Sequence, residues 1–178
     1  VYKRQGVFFE HLRNLVKIVT DSKNSRCAED LVVYYTRGLS NILTELGIQT
    51  DIIENPIKNS PPFLIGSRIE SPELKTILLY GHGDTVPLQE GQWNDGISPS
   101  DLKIIDDKIY GRGVADNKGQ HLINLLALHS VLRTRTKLGF NLKIIFEMGE
   151  EIGSPGLCEL CEAYKEYFKS DVLIASDG

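Results

Sequence analysis

Apolar residues recur along this chain with two periods in turn, and the alternation predicts helices and strands following one another. Phe8, Leu12, Leu15, Val16 and Val19 share one helical face. Ala28, Leu31, Val32, Tyr35, Leu39, Ile42, Leu43 and Leu46 share another, closed by Gly47 as a C-cap signal. Strands are predicted over 49–53, 63–69 and 76–80. The stretch 89–100, with Trp93, Asn94, Asp95, Gly96 and Pro99, reads as a loop that is either a surface connection or substrate-facing. Residues 118–132 place Leu122, Leu125, Leu126 and Leu132 on a helix that crosses to a strand over 141–147, and a strand-helix-strand unit implies parallel pairing. A helix over 155–167 then leads into a strand over 171–175. The expected fold class is α/β, a three-layer sandwich with a largely parallel central sheet flanked by helices.

Composition narrows the picture. At 178 residues, 41% hydrophobic and 25% charged, the chain can bury one core as a single domain or most of one. The formal charge is −4 and no run of Lys or Arg marks a nucleic-acid face. No apolar stretch reaches the roughly 18 residues of a membrane span, and no signal peptide is visible, so no membrane partner is expected. Three cysteines, Cys27, Cys158 and Cys161, argue against a disulfide framework and favour a reducing, cytoplasmic setting. The Cys158/Cys161 spacing has no partner pair, and Cys161 is expected to pack in the core beside Leu157, Leu160, Tyr164 and Phe168. Among the histidines, His11, His121 and His129 fall on helices, where surface or packing roles are expected; His121 lies close enough to Asp116 to approach the site.

The candidate chemistry sits after apolar, strand-like segments. His82 and Asp84, Asp116, Glu150 and Glu151, and Asp177 each follow one. Ligands collect outside the carboxyl ends of strands in α/β sheets, so four such ends would gather one imidazole and several carboxylates in one crevice. Crowded carboxylates resist ionisation unless protons or cations offset their charge. Imidazole with carboxylate suits zinc, with cobalt or manganese possible, and two ions would use the groups better than one, bridged by a carboxylate such as Asp116.

The motifs Gly81-His82-Gly83-Asp84-Thr85-Val86-Pro87, Gly111-Arg112-Gly113-Val114-Ala115-Asp116-Asn117-Lys118-Gly119, Glu150-Glu151-Ile152-Gly153-Ser154 and Ser176-Asp177 closely resemble the zinc-dependent aminoacylase, carnosinase and succinyl-diaminopimelate desuccinylase superfamily. The resemblance runs from about residue 74 to the end of the chain. It implies a zinc-exopeptidase type of fold, two Zn2+ ions, and hydrolysis of an amide bond in a peptide or N-acyl amino acid. By resemblance, His82, Asp116, Glu151 and Asp177 are metal ligands, with Asp116 the bridge; Asp84 orients the imidazole and Glu150 is the general base. It also implies a cis peptide after Asp116. In the family a further lid and dimerisation domain and a closing half of the catalytic domain follow. The chain is therefore expected to be the amino-terminal part of one catalytic domain, inactive alone, whose full-length form is a homodimer. A catalytically silent relative that keeps the fold for binding or assembly is the alternative.

Overall fold

The computed structural model describes residues 2–177, with side chains from residue 6 onward. Five strands form the central sheet in the order β1-β2-β6-β3-β7: β1 (Gln49–Ile53), β2 (Phe63–Arg68), β3 (Thr76–His82), β6 (Asn141–Glu147) and β7 (Val172–Ala175). β3 pairs in parallel with β6 and with β7, whereas β2 is antiparallel to both β1 and β6. Four of the five strands thus point the same way and β2 alone is reversed.

Strand alternation sorts the apolar side chains onto two faces. Leu64, Leu79, Leu142, Ile144 and Phe146 join the larger core. Phe63, Ile65, Ile145, Leu78 and Tyr80 face a smaller cluster completed by Leu157, Leu160, Tyr164 and Phe168. The first face is covered by α1 (Tyr2–Lys17), by a helical run of α2 (Ala28–Val33) and α3 (Ser40–Glu45), and by α4 (Lys118–Arg135). The second is covered by α5 (Leu157–Ala163) and α6 (Lys165–Phe168). These are the three layers expected from the sequence.

Four details differ from the sequence reading. The helix expected over 28–46 is interrupted by a π-helical stretch, Tyr34–Leu39, where the extra residue per turn lets Tyr34, Tyr35 and Leu39 all turn inward. The helix over 155–167 is two short pieces, because the chain breaks at Tyr164. Cys161 is exposed, contrary to the core position expected beside Leu160: on the short α5 only Leu160 is buried, and Cys161 falls outside its apolar stripe. Finally, Asp116 follows a separate antiparallel hairpin, β4 (Lys103–Ile105) and β5 (Lys108–Tyr110), so only three of the four expected strand ends belong to the central sheet.

The end of α1 is tied to the start of α4 by Lys118. Its side chain is 1% exposed, and Nζ donates to the carbonyls of Leu15 at 3.0 Å and Ile18 at 2.7 Å. The ammonium also stands 5.1 Å from the centre of the Tyr34 ring. Burial lowers its pKa to about 7. Next to it, Gly119 leaves no room for a Cβ, which would collide with the carbonyl oxygen of Val114. Gly119→Ala must therefore push α4 away from the Asp116 loop, and a loss of about 1–3 kcal/mol is expected in urea unfolding.

Candidate metal centre

β3 ends on His82, and in the parallel register this residue lies opposite Glu147 of β6. The chain then turns through Gly83, where the ring of Tyr34 lies so close that a Cβ would sit 2.5 Å from Cε1. The turn is clamped: Gly83 N–H donates to the Glu147 carbonyl at 2.9 Å, Thr85 N–H to the Thr20 carbonyl at 2.9 Å, and Thr20 Oγ1 to the Gly83 carbonyl at 2.7 Å. His82 and Asp84 are consequently 0% exposed.

Asp84 stands behind the imidazole, with Oδ1 3.3 Å from His82 Nδ1. The Asp84 main-chain oxygen is also 3.2 Å from Nδ1. Its two carboxylate oxygens accept from Glu150 N–H and Glu151 N–H, each at 3.2 Å. One buried carboxylate thereby sets the imidazole and the paired glutamates together. Burial opposes protonation of His82, but the hydrogen bond and charge of Asp84, reinforced by Asp177 and Asp116, outweigh it and raise its pKa to about 9.

On the open side of the ring, Nε2 of His82 is buried and makes no hydrogen bond. It lies 3.0 Å from Asp116 Oδ1, 3.6 Å from Asp177 Oδ1 and 3.9 Å from Glu150 Oε2. One ligand atom each from His82, Asp116 and Asp177 lies within 4.8 Å of the others. A buried imidazole nitrogen without a hydrogen bond, facing several carboxylate oxygens, fits a divalent cation of the zinc type. Glu151 does not join that triad. Its Oε1 accepts from Val86 N–H at 3.2 Å, and it lines a small cavity with Asp116, Arg112 and Val86. Burial raises the pKa of Glu151, and the negative charge of Asp116 adds to this. Glu151 and Asp116 thus share a second space beside the first.

Asn117, which sequence reasoning passed over, is the node of the site. It is 0% exposed, and the Asp116-Asn117 peptide is cis, as the resemblance implied. Its Oδ1 accepts from His82 N–H at 3.3 Å and lies 3.0 Å from His121 Nδ1. Its Nδ2 donates to the Ser176 carbonyl at 2.6 Å and to Asp177 Oδ1 at 3.0 Å. A single amide therefore joins the ends of β3 and β7 to the start of α4. His121, on the Leu122/Leu125 side of α4, is fully buried and lies 2.7 Å from the Tyr34 hydroxyl through Nε2. Burial, helped by the positive charges of His82 and Lys118, lowers its pKa to about 3 and keeps it neutral, as an orienting group. A polar residue directly after a candidate ligand and at the first turn of a helix was the available signal for Asn117.

Residues 78–177 match peptidase family M20/M25/M40. Over 139 residues the chain is 38% identical to a cysteinylglycine-S-conjugate dipeptidase of Corynebacterium striatum, covering 76% of this chain and 29% of that protein. It is 38% identical to a mouse β-Ala-His dipeptidase over 122 residues, covering 66% of this chain and 24% of the relative. The structure of human carnosine dipeptidase 1 superposes with a TM-score of 0.89 at 30% identity, covering 98% of this chain and 39% of that one. The chain thus spans less than a third of the length of the two dipeptidases matched by sequence.

Asp84→Asn keeps an acceptor but removes the charge behind His82. Zinc affinity is expected to fall roughly 10- to 100-fold, measured by isothermal titration calorimetry, because the carboxylate behind a ligating imidazole sets its orientation and basicity.

Proposed function

The chain belongs to peptidase family M20/M25/M40, and on that footing we propose that it supplies the metal-binding half of the active site of a dinuclear zinc dipeptidase. The observation that supports this best is the buried Nε2 of His82, free of hydrogen bonds and facing Asp116 and Asp177. In this reading His82, Asp116 and Asp177 hold one ion, and Asp116 and Glu151 contribute to the second. Dipeptides are favoured over N-acyl amino acids because the relatives are named as dipeptidases. Among the described residues, no helix is long and apolar enough to cross a membrane.

When bound, the metal pair supplies Lewis acidity to the scissile carbonyl and lowers the pKa of water. The protein's own groups do the remaining work. Asp84 holds the His82 ring with Nε2 outward, and Asn117 steadies Asp177 and the His82 backbone. Glu150 is half-buried and makes its approach to His82 from the open side, at 3.9 Å. In this reading it takes the proton from the attacking water and then hands it to the departing nitrogen, with no covalent intermediate. Its neighbour Glu151 is turned the other way by Val86 N–H, so the base and the ligand do not compete for one position.

In the zinc-loaded full-length protein, Glu150→Ala should leave zinc stoichiometry unchanged and lower kcat for dipeptide hydrolysis roughly 10²- to 10⁴-fold. Retained hydrolysis would remove Glu150 from the chemistry. A wild-type protein that binds zinc and hydrolyses neither dipeptides nor N-acyl amino acids would instead identify the catalytically silent relative.

A further inference from the structure

Glu147 is the last residue of β6 and is 1% exposed, yet it carries a carboxyl group. Its Oε1 accepts two hydrogen bonds, from the Tyr80 hydroxyl at 2.7 Å and from Ser154 Oγ at 2.9 Å. Oε2 is buried without a partner. A buried acceptor costs free energy unless it is satisfied, so an apolar residue would serve this position better if packing were its whole purpose. Nor is a staple between the strands needed, because β3 and β6 are already paired along their full length, from Thr76↔Asn141 to His82↔Glu147.

What the carboxyl group reaches is the turn that carries Glu150. That turn runs over Glu150–Ile152 and is closed by Ser154 N–H donating to the Gly149 carbonyl at 2.8 Å. On one side, Asp84 takes the N–H groups of Glu150 and Glu151. On the other, Ser154 is held at φ 51°, a left-handed conformation that non-glycine residues seldom adopt, while its hydroxyl is bonded to Glu147. Tyr80 stands two residues before His82 on β3, so Glu147 Oε1 links the strand bearing the imidazole to the far end of the glutamate turn.

We propose that Tyr80, Glu147 and Ser154 form a positioning network that fixes Glu150 relative to His82, with Glu147 acting through Oε1 as the shared hydrogen-bond acceptor. The proposal rests on Glu150 being the general base, as inferred above. Positioning of this kind matters because an error near 1 Å in a reacting group can cost on the order of 100-fold in rate.

The test uses the zinc-loaded full-length protein, a dipeptide substrate, and hydrogen exchange of the segment 149–154 by mass spectrometry. Ser154→Ala and Glu147→Met should each lower kcat roughly 10- to 100-fold with KM changed less than about twofold and zinc content intact. Both should speed exchange in 149–154. Glu147→Gln keeps the acceptor and should retain most of the activity. Ser154→Gly relieves the left-handed backbone but removes the hydroxyl, so it should lose activity as Ser154→Ala does, without losing thermal stability. Wild-type kcat and exchange in Ser154→Ala would overturn the network, as would a Glu147→Gln enzyme as slow as Glu147→Met. If Glu147→Met does not fold, the two Ser154 variants decide. If the wild-type protein hydrolyses no dipeptide, faster exchange in Ser154→Ala still supports the restraint and only the catalytic reading falls; unchanged exchange overturns the restraint itself.

Discussion

The site depends on one buried carboxylate. Asp84 has no solvent exposure, and removing a carboxylate from water costs several kcal/mol unless partners replace the lost hydration. Here the replacement is the imidazole of His82 on one side and the N–H groups of Glu150 and Glu151 on the other. Because the same two oxygens serve all three, the end of β3 and the turn after β6 cannot shift independently. Without that coupling, the imidazole and the glutamates would be separate features of neighbouring strands.

Around Asp84 the polar groups are graded by depth. His82, Asn117, Lys118 and His121 are at most 1% exposed, and each has defined partners. The outer carboxylates are freer: the side chains of Asp116, Glu150 and Asp177 are 60%, 38% and 31% exposed. The inner layer is thus set by the fold, whereas the outer layer retains unshared oxygens on the side where a cation would arrive. Such an arrangement lets a site be preorganised without paying the full repulsion of its acids before metal binds.

The helical layer contributes more than cover. The π-helical stretch brings two adjacent tyrosines inward, so that Tyr34 reaches His121 and Tyr35 donates to the Phe146 carbonyl at 2.8 Å. Lys118 locks the end of α1 against the start of α4, directly after Asp116 and Asn117. The loop bearing the candidate bridging carboxylate is therefore held from both the sheet and the helices.

The order of helices and strands, the α/β class and the candidate ligands His82, Asp116, Glu151 and Asp177 were legible in the chain, since hydrophobic period and motif spacing are local properties. The structure brings His82, Asp116 and Asp177 together and sets Glu151 beside them. Other features depended on contacts between distant segments. Cys161 looked like a core residue beside Leu160 but lies outside the stripe that Leu160 buries, and the hairpin under Asp116 was indistinguishable from a strand of the main sheet. Asn117 and Ser154 stood inside motifs without a role, and Glu147 stood outside them, because their roles come from the residues they meet across 4 to 67 positions of chain. Local pattern determined which side chains this protein has to offer a metal. Only tertiary packing decided which polar atoms are buried, paired or left free, because burial and hydrogen-bond geometry belong to the assembled layers and not to any one segment.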